Sequence, residues 1–166
     1  MKYEEIPIQK EWITEAKKRS LEMGRLKNSI EKGRGNVAGF LGEISTLYFL
    51  GEDPFCTKYN TYDYDLIFGD KTVEVKTKRC QSKPKDHYEC SVASTSVFQK
   101  CTHYIFTRVD NDYKLCWILG WMEKGKYLKQ AKFLKKGDQD GDNGFIASRD
   151  CHNVPISKLN AMKDFS

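Results

Sequence analysis

The stretch that most constrains the fold is YDYDLIFGDKTVEVKTK, at residues 62–78. Apolar and polar residues alternate along it on both sides of the pair Gly69-Asp70. Alternation with a period of two is typical of a β-strand that has one buried face, and a two-residue loop that contains glycine is typical of a hairpin turn. The sequence therefore predicts two antiparallel strands, at residues 62–68 and 71–77, with acids and lysines together on one face.

Pairing across this turn brings two acidic side chains together. The register places Asp65 opposite Glu74, with Cβ atoms roughly 4.5 to 5.5 Å apart, and by the same count it places Lys76 opposite Asp63. Like charges directly opposite each other destabilise a sheet. A divalent cation removes the conflict, because Mg²⁺ is commonly held by one or two carboxylates together with water and phosphate oxygens. The alternative is a solvated face whose alternating acids and lysines have no chemical role.

A helix predicted before the hairpin carries a third carboxylate. Asn36 can cap this helix, whose sequence is VAGFLGEISTLYFL and which ends at Gly51. Glu43 lies at the edge of its apolar face, and a carboxylate among core residues is costly unless something pairs with it. Gly39 and Gly42 each lower helix stability by roughly 1 kcal/mol relative to alanine, which suggests that another backbone or a ligand comes close there. The alternative is an interfacial glutamate that reaches water or a lysine.

The rest of the chain predicts an α/β domain. A basic helix is expected at residues 8–32, a short helix at 91–101, and strands at 103–109 and 113–121. The last of these strands is almost continuously apolar, which predicts burial on both faces. From the second helix onward the order of elements is helix, strand, strand, helix, strand, strand. This order describes a mixed sheet flanked by helices.

The composition is that of a soluble globular protein. Hydrophobic residues make up 39% and charged residues 31% of the chain, and 166 residues are most simply one domain. No apolar run approaches the roughly 20 residues that span a bilayer, and the N-terminus lacks the layout of a secretory signal. Six cysteines in a chain that is not exported indicate reduced thiols, so we expect a cytoplasmic protein with no membrane partner. The formal net charge of +5 is compatible with a polyanionic partner.

Three segments in this order resemble the PD-(D/E)XK nuclease superfamily: GFLGE at 39–43, YDYDL at 62–66 and VEVK at 73–76. The superfamily includes restriction endonucleases, Holliday-junction resolvases, phage exonucleases and related repair enzymes. The resemblance covers residues 35 to about 110. It implies a restriction-endonuclease-like core of α-β-β-β-α-β order, with a glutamate on the first helix, an aspartate on the second strand and an E-x-K motif on the third.

The residues that match these positions are Glu43, Asp65, Glu74 and Lys76, which are the expected catalytic residues. Position 64 is tyrosine where the motif has proline, which leaves Asp63 as a rival to Asp65.

The resemblance implies metal-assisted hydrolysis of phosphodiester bonds. Asp65 and Glu74, with the main-chain carbonyl of Val75, would bind Mg²⁺, for which Mn²⁺ can substitute. Lys76 would orient the attacking water and favour its deprotonation. Glu43 would bind a second metal ion or anchor Lys76.

Other polar residues near these positions are candidates for contact with nucleic acid. Arg34 and Asn36 precede the helix of Glu43, where a helix N-terminus can support a phosphate contact. Lys78 shares the face of Lys76 and could meet a phosphate together with Arg79, although a solvated lysine is an equal alternative. Gln99 resembles a polar position near the active site of some exonuclease-like members, although the spacing that follows it does not match theirs.

We therefore expect a Mg²⁺-dependent DNA endonuclease. Its parts would be an N-terminal basic helix at 8–32, a catalytic core at about 35–120 and a C-terminal extension at 121–166. Two alternatives stay open, a non-catalytic nucleic-acid-binding module of the same fold and an RNA-directed nuclease, because recognition of a 2′-hydroxyl leaves no readable motif here. Cleavage of both DNA strands would favour a homodimer, by analogy alone.

Overall fold

A five-stranded mixed sheet organises the protein, and a three-stranded sheet packs against one of its faces. The computed structural model describes residues 3–27, 36–141 and 144–166. In chain order the strands and helices are β1 (Glu4–Pro7), α1 (Lys10–Lys27), α2 (Asn36–Phe49), β2 (Leu66–Phe68), β3 (Lys71–Cys80), β4 (Glu89–Ala93), β5 (His103–Asp110), β6 (Leu115–Glu123), α3 (Lys124–Gln130), β7 (Lys132–Leu134) and β8 (Cys151–Pro155). Three single 3₁₀ turns lie at Ser94–Ser96, Ile156–Lys158 and Met162–Asp164.

The central sheet has the strand order β1-β6-β5-β3-β2. Its strands β3 and β5 run parallel, and its other neighbours run antiparallel. The second sheet has the order β4-β8-β7 and is antiparallel throughout. The predicted α/β class with a mixed sheet is thereby confirmed. Among the described residues, no helix combines the length and the apolar character that crossing a bilayer requires.

The alternation along β3 divides the central sheet into two faces. Val73 and Val75 are buried in a core that α1 and α2 complete. Glu74, Lys76 and Lys78 point to the opposite face, because successive side chains of a strand alternate. On that opposite face, β5 and β6 pack against α3 and the three-stranded sheet in a second core. The polar residues of the hairpin therefore lie between two packed layers and do not form a solvated surface.

Gly42 brings α2 close to the central sheet. A Cβ atom at this position would lie 2.1 Å from Oγ1 of Thr77 and 2.6 Å from Oγ1 of Thr107. Such distances are far inside van der Waals contact, so only glycine allows this approach. The close neighbours of Gly42 are therefore threonine side chains, whereas the sequence predicts another backbone or a ligand. At Gly39 a Cβ atom would have no neighbour within 4 Å among the described residues, so no backbone of another described element comes close there.

The predicted hairpin forms, but its first strand is shorter than expected. The register is the predicted one: Leu66 with Val73, Ile67 with Thr72 and Phe68 with Lys71. Residues 62–65 do not continue the strand, because Thr61 Oγ1 accepts hydrogen bonds from the N–H groups of Asp63 and Tyr64 and bends the chain. The expected pairing of Asp63 with Lys76 is therefore wrong. Oδ1 of Asp63 instead accepts a hydrogen bond of 3.0 Å from the main-chain N–H of Lys100.

The short helix predicted at 91–101 is also wrong. The segment continues β4 as far as Ala93, and the 3₁₀ turn Ser94–Ser96 follows. Val92 is fully buried, and β4 pairs along its whole length with β8, about 60 residues away, which the local pattern does not signal. Within the described residues, that turn is the only helical element between β3 and β5.

Several other predictions of elements are confirmed. The basic helix predicted at 8–32 is present as α1, and residues 28–35, including the predicted GRG break and Arg34, lie outside the described residues. The strands predicted at 103–109 and 113–121 are β5 and β6, and β6 is buried on both faces as expected. The sequence pattern does not predict β1, which adds a fifth strand next to β6.

Residues 121–166 are integrated into both cores. They form α3, β7 and β8, and Met162 and Phe165 join the core beneath α2. Gly120 makes this return possible, because it has φ +146° and a Cβ atom there would lie 2.5 Å from the carbonyl oxygen of Asn160. The main chains of Trp121 and Asn160 exchange two hydrogen bonds at this crossing, of 3.0 and 2.9 Å.

Candidate active site

The candidate site lies where β2 and β3 separate. The main-chain N–H of Asp65 donates to the carbonyl of Val73 at 2.8 Å, which is the last hydrogen bond of the hairpin on this side among the described residues. Oδ2 of Asp65 then accepts a hydrogen bond of 2.8 Å from the main-chain N–H of Val75. The carboxylate thus takes the place of a strand partner at the edge of β3, which fixes its orientation.

Three carboxyl groups meet at this point, and we call Glu43, Asp65 and Glu74 the acidic cluster. Glu43 comes from α2, and its carboxyl group shares a hydrogen bond with that of Asp65. Nδ2 of Asn60 donates to Oε2 of Glu43 at 3.1 Å. Glu74 is 8% exposed and lies close enough to act on both other carboxyl groups electrostatically. Three acidic groups therefore share one largely buried region.

Burial and mutual repulsion shift the ionisation of the cluster. Burial is the main cause that raises the pKa of Glu43 to about 7; the hydrogen bond with Asp65 opposes this rise, and the negative charge of Glu74 adds to it. The pKa of Asp65 is raised well above its ordinary value, by burial first and then by the charges of Glu43 and Glu74. Near neutral pH the two carboxyl groups therefore retain a proton between them, a state that a cation would displace.

Lys76 connects the acidic cluster to Gln99. Its Nζ donates to Oε1 of Glu74 at 2.9 Å and to Oε1 of Gln99 at 3.0 Å. Nε2 of Gln99 donates to Oε1 of Glu74 at 3.2 Å and to the carbonyl of Tyr62 at 2.7 Å. The lysine head is therefore held by two oxygens and cannot swing freely. Gln99 lies next to the predicted catalytic residues, as the sequence resemblance suggested.

Oε2, the second carboxylate oxygen of Glu74, is a candidate ligand for a cation. Oε2 is buried, and among the described residues no hydrogen-bond donor reaches it. A buried carboxylate oxygen without a partner is costly, so a ligand at this position would stabilise the protein. Oxygen donors of carboxylate type also suit a hard cation such as Mg²⁺. In the described part of the chain, no group of three or more His, Cys, Asp and Glu side chains is arranged as a metal site. Oε1 of Glu74 is bonded to Lys76 and Gln99, which leaves Oε2 as its free oxygen among the described residues.

The other predicted contact residues are more dispersed. Nδ2 of Asn36 contacts Sδ of Met23 on α1 at 3.1 Å, which places this amide against the neighbouring helix. Arg79 is exposed and lies over the ring of Tyr113, at 6.0 Å from its centre. Lys78 lies on the same face of β3 as Lys76 and pairs with Glu89.

The acidic-cluster residues and Lys76 are therefore together, whereas Asn36 and Arg79 are not part of this group. The rival ligand Asp63 is engaged by the main chain of Lys100. Asn60 is a neighbour of Glu43 that sequence reasoning missed, because the loop before β2 has no periodic pattern. Comparison of the chain with protein-family models, with curated proteins and with solved structures found no match in any of the three.

Proposed function

We propose that the protein is a Mg²⁺-dependent DNA endonuclease that hydrolyses phosphodiester bonds on a restriction-endonuclease-like core. One observation carries the proposal: the buried Oε2 of Glu74 has no hydrogen-bond donor among the described residues, although it lies in the acidic cluster beside Lys76. Such an arrangement is unfavourable for the protein alone and favourable once a cation and a phosphate are bound. Perturbed ionisable groups of this kind concentrate at functional sites.

The residues that would hold the cation are Asp65, Glu74 and the main-chain carbonyl of Val75, with Glu43 as a further carboxylate. When bound, the metal ion polarises the phosphate and stabilises charge on the attacking and leaving oxygens. The buried surroundings strengthen these interactions, because the effective dielectric constant is lower than in water. Mn²⁺ prefers similar ligands and would substitute for Mg²⁺.

The protein's own side chains position the reaction. The ammonium group of Lys76 would hold the attacking water and stabilise the negative charge that this water gains as it loses a proton to solvent. The water oxygen forms a bond to phosphorus, the bond from phosphorus to the leaving sugar oxygen breaks, and that oxygen takes a proton from solvent. Gln99 acts as a positioning residue, because its hydrogen bonds to Lys76 and Glu74 fix both side chains.

Charge supports DNA as the partner and free thiols support the cytoplasm as the location. Lys78 and Arg79 continue β3 beyond the acidic cluster, and the chain has a formal net charge of +5. Positive residues beside a metal-dependent site attract a polyanion and contact its phosphates. All six cysteines are free, which suits a reducing compartment.

Cleavage of labelled DNA with Mg²⁺ or Mn²⁺ tests the proposal. We expect Asp65→Asn to lower the single-turnover cleavage rate by about 10³-fold, because a metal ligand is lost. Asp70→Asn is the matched control, since Asp70 lies on the same hairpin but its side chain is 93% exposed at the turn, and it should cleave normally. EDTA should abolish cleavage by both.

The same assay separates the alternatives. A protein that binds DNA but never cuts it, with either metal, would be a non-catalytic binding module. Faster cleavage of RNA than of DNA of the same sequence would identify an RNA-directed nuclease. Either result contradicts the proposal.

A further inference from the structure

A cavity of about 380 Å³ lies beside the acidic cluster, between the central sheet and the three-stranded sheet. It opens on the face of β3 that carries Lys76 and Lys78, and β4, β5 and the loop before β8 form its other walls. Lys76 lines this cavity and also contacts Glu74 in the acidic cluster. A molecule in the cavity would therefore contact Lys76, whose ammonium group also contacts the acidic cluster.

Cations outnumber carboxylates among the described residues that line this cavity, and we call it the basic cavity. Lys76, Lys78, Arg108 and Arg149 line it, whereas Glu89 is the one carboxylate among the described lining residues. Arg108 is 7% exposed, and its guanidinium group donates to the carbonyl of Glu89 at 2.9 Å and to Oε1 of Glu89 at 3.3 Å. Lys78 contacts the same carboxylate oxygen. Glu89 thus forms ion pairs with both Lys78 and Arg108, and the excess of cations over carboxylates favours an anionic ligand.

The remaining walls are apolar and aromatic. Phe106, Leu119 and Phe145 line the cavity beside the cations. Nζ of Lys78 lies 4.3 Å from the centre of the Phe145 ring, which is a cation–π contact. A ligand that fits both kinds of wall has a flat apolar part and a negative part. A nucleotide has both, in its base and its phosphate, and 380 Å³ lies within the range of small-ligand sites.

The outer wall is held in place before any ligand arrives. Phe145 and Ala147 belong to a small core with Leu134 and Cys151. Hydrogen bonds fix the main chain of this loop at its described positions, including Ala147 N–H to the carbonyl of Asp138 at 2.9 Å. Arg149 follows this anchored segment and is exposed at the rim of the cavity. A preformed wall of this kind reduces the ordering cost of binding.

Two exposed aromatic side chains border the acidic cluster as well. Tyr62 is 73% exposed and Phe98 is 78% exposed. Gln99, which contacts Lys76, follows Phe98 directly and donates to the carbonyl of Tyr62. Exposed aromatic rings next to a nucleic-acid site are typical of proteins that stack unpaired bases. A base inside a duplex is stacked and paired, so it could enter neither a cavity nor such a stack without leaving its partner.

We propose that the basic cavity binds one unpaired nucleotide of a DNA strand, next to the phosphodiester bond that is cut. Its base lies against Phe106 and Phe145, and its phosphate meets Arg149 and Lys78. The substrate is therefore DNA with unpaired nucleotides, and fully paired duplex is a poor substrate. The part of this inference that concerns cutting rests on the proposed function, whereas nucleotide binding does not.

Binding of single nucleotides in EDTA tests the cavity without any cleavage. The full chain is titrated by calorimetry with deoxycytidine monophosphate, with deoxycytidine and with inorganic phosphate. We expect the nucleotide to bind at least roughly tenfold more tightly than either part. Arg149→Ala should weaken nucleotide binding roughly tenfold by removing a charge-assisted contact, whereas Lys158→Ala, which removes an exposed charge elsewhere, should not. Equal affinity for inorganic phosphate, or no effect of Arg149→Ala, would overturn the assignment.

Cleavage with Mg²⁺ then tests the substrate class. A duplex with one unpaired nucleotide is compared with the fully paired duplex of the same sequence, and we expect cutting beside the unpaired nucleotide to be at least roughly tenfold faster. Arg149→Ala should reduce this ratio. Equal rates on both duplexes would refute the preference. Nucleotide binding without cleavage of any DNA would leave the cavity assignment standing and would contradict the proposed nuclease activity.

Discussion

The acidic cluster and the basic cavity are neighbours on one strand, yet their charges are opposite. Glu74, Lys76 and Lys78 follow one another on the same face of β3. On the side of Glu74, three carboxyl groups lie close together, and Lys76 contacts one of them, Glu74. On the side of Lys78, Lys78 and Arg108 share the carboxylate of Glu89, and Lys76 and Arg149 also line the basic cavity.

The acidic cluster has more carboxyl groups than cations, and the described residues that line the basic cavity include more cations than carboxylates. Under the proposed function, a divalent cation would add positive charge to the first group and a nucleic-acid phosphate would add negative charge to the second. The comparison shows that one strand can carry adjacent side chains in regions of opposite charge, with Lys76 in contact with both.

The largest expected effect separates the two lysines of this strand. Lys76→Gln should lower the cleavage rate by about 10³-fold, because the group that orients the attacking water is removed, while Mn²⁺ affinity stays within a few fold of normal. Lys78→Gln should instead weaken nucleotide binding about tenfold. Single-turnover cleavage and calorimetry with Mn²⁺ and a nucleotide measure both. If Lys76→Gln and Lys78→Gln change the cleavage rate and the nucleotide affinity in the same way, the acidic cluster and the basic cavity do not have separate roles.

Two glycines of α2 offer the next test. Gly42→Ala should lower the free energy of unfolding by about 2 kcal/mol, because the new Cβ would clash with Thr77 and Thr107. The displaced helix would also move Glu43, so cleavage should fall while nucleotide binding is retained. Gly39→Ala should raise the free energy of unfolding by about 0.5 to 1 kcal/mol, since its Cβ would meet open space. Urea denaturation measures both. Loss of nucleotide binding in a folded Gly42→Ala variant would mean that α2 supports both regions.

A smaller effect concerns pH and the acidic cluster alone. Because the folded-state pKa values of Glu43 and Asp65 are raised above their unfolded values, their stabilising contribution is complete below about pH 4 and is lost as the pH rises through about 7. In EDTA, we expect the free energy of unfolding to fall by about 1 to 2 kcal/mol between pH 5 and pH 8.

Glu43→Gln should reduce this fall, and Mn²⁺ should reduce it further by replacing the retained proton. Denaturation at each pH, with and without Mn²⁺, measures the change. A fall of equal size in Glu43→Gln would show that Glu43 is not its cause.

The smallest expected effect concerns the basic cavity. Arg149→Ala should reduce the slope of log affinity against log salt concentration by about 0.7 for single-stranded DNA, which corresponds to one phosphate contact. The exposed control Lys158→Ala should leave the slope unchanged. Fluorescence anisotropy at several salt concentrations measures it. An identical slope in both variants would show that Arg149 meets no phosphate.

Local periodicity accounts for what the sequence predicts well. The hairpin register follows from a period of two and a turn, so it could be predicted without any long-range information. The nearness of Asp65 to Glu74 could be predicted in the same way, although the strand pairing itself ends at Leu66. The apolar face of α2 places Glu43 at its edge in the same way. Local hydrogen bonds limit what the periodicity can predict. Thr61 ends the strand early, and Asp63 is turned toward Lys100.

Long-range pairing accounts for most of what the sequence does not predict. β4 becomes a strand by pairing with β8, which is distant in the sequence. The local sequence therefore predicts neither the wall of the basic cavity nor the contact of Arg108 with Glu89. Gln99 could be named as a candidate, but its bonds to Lys76 and Tyr62 depend on a turn that was expected to be helical. Local patterns therefore predict the acidic cluster, whereas the basic cavity requires the assembled fold.

The short length of β2 has one more consequence. β3 has 10 residues and β2 has 3, and on this side β2 pairs only as far as Val73 among the described residues. An exposed strand edge is a template for aggregation, onto which a strand from a second molecule can add. A second copy aligned there would bring Lys76, Lys78 and Arg79 against the same residues of its partner, and this repulsion would keep the molecules apart. The positive charges of β3 would thus oppose edge-to-edge pairing between copies of this strand.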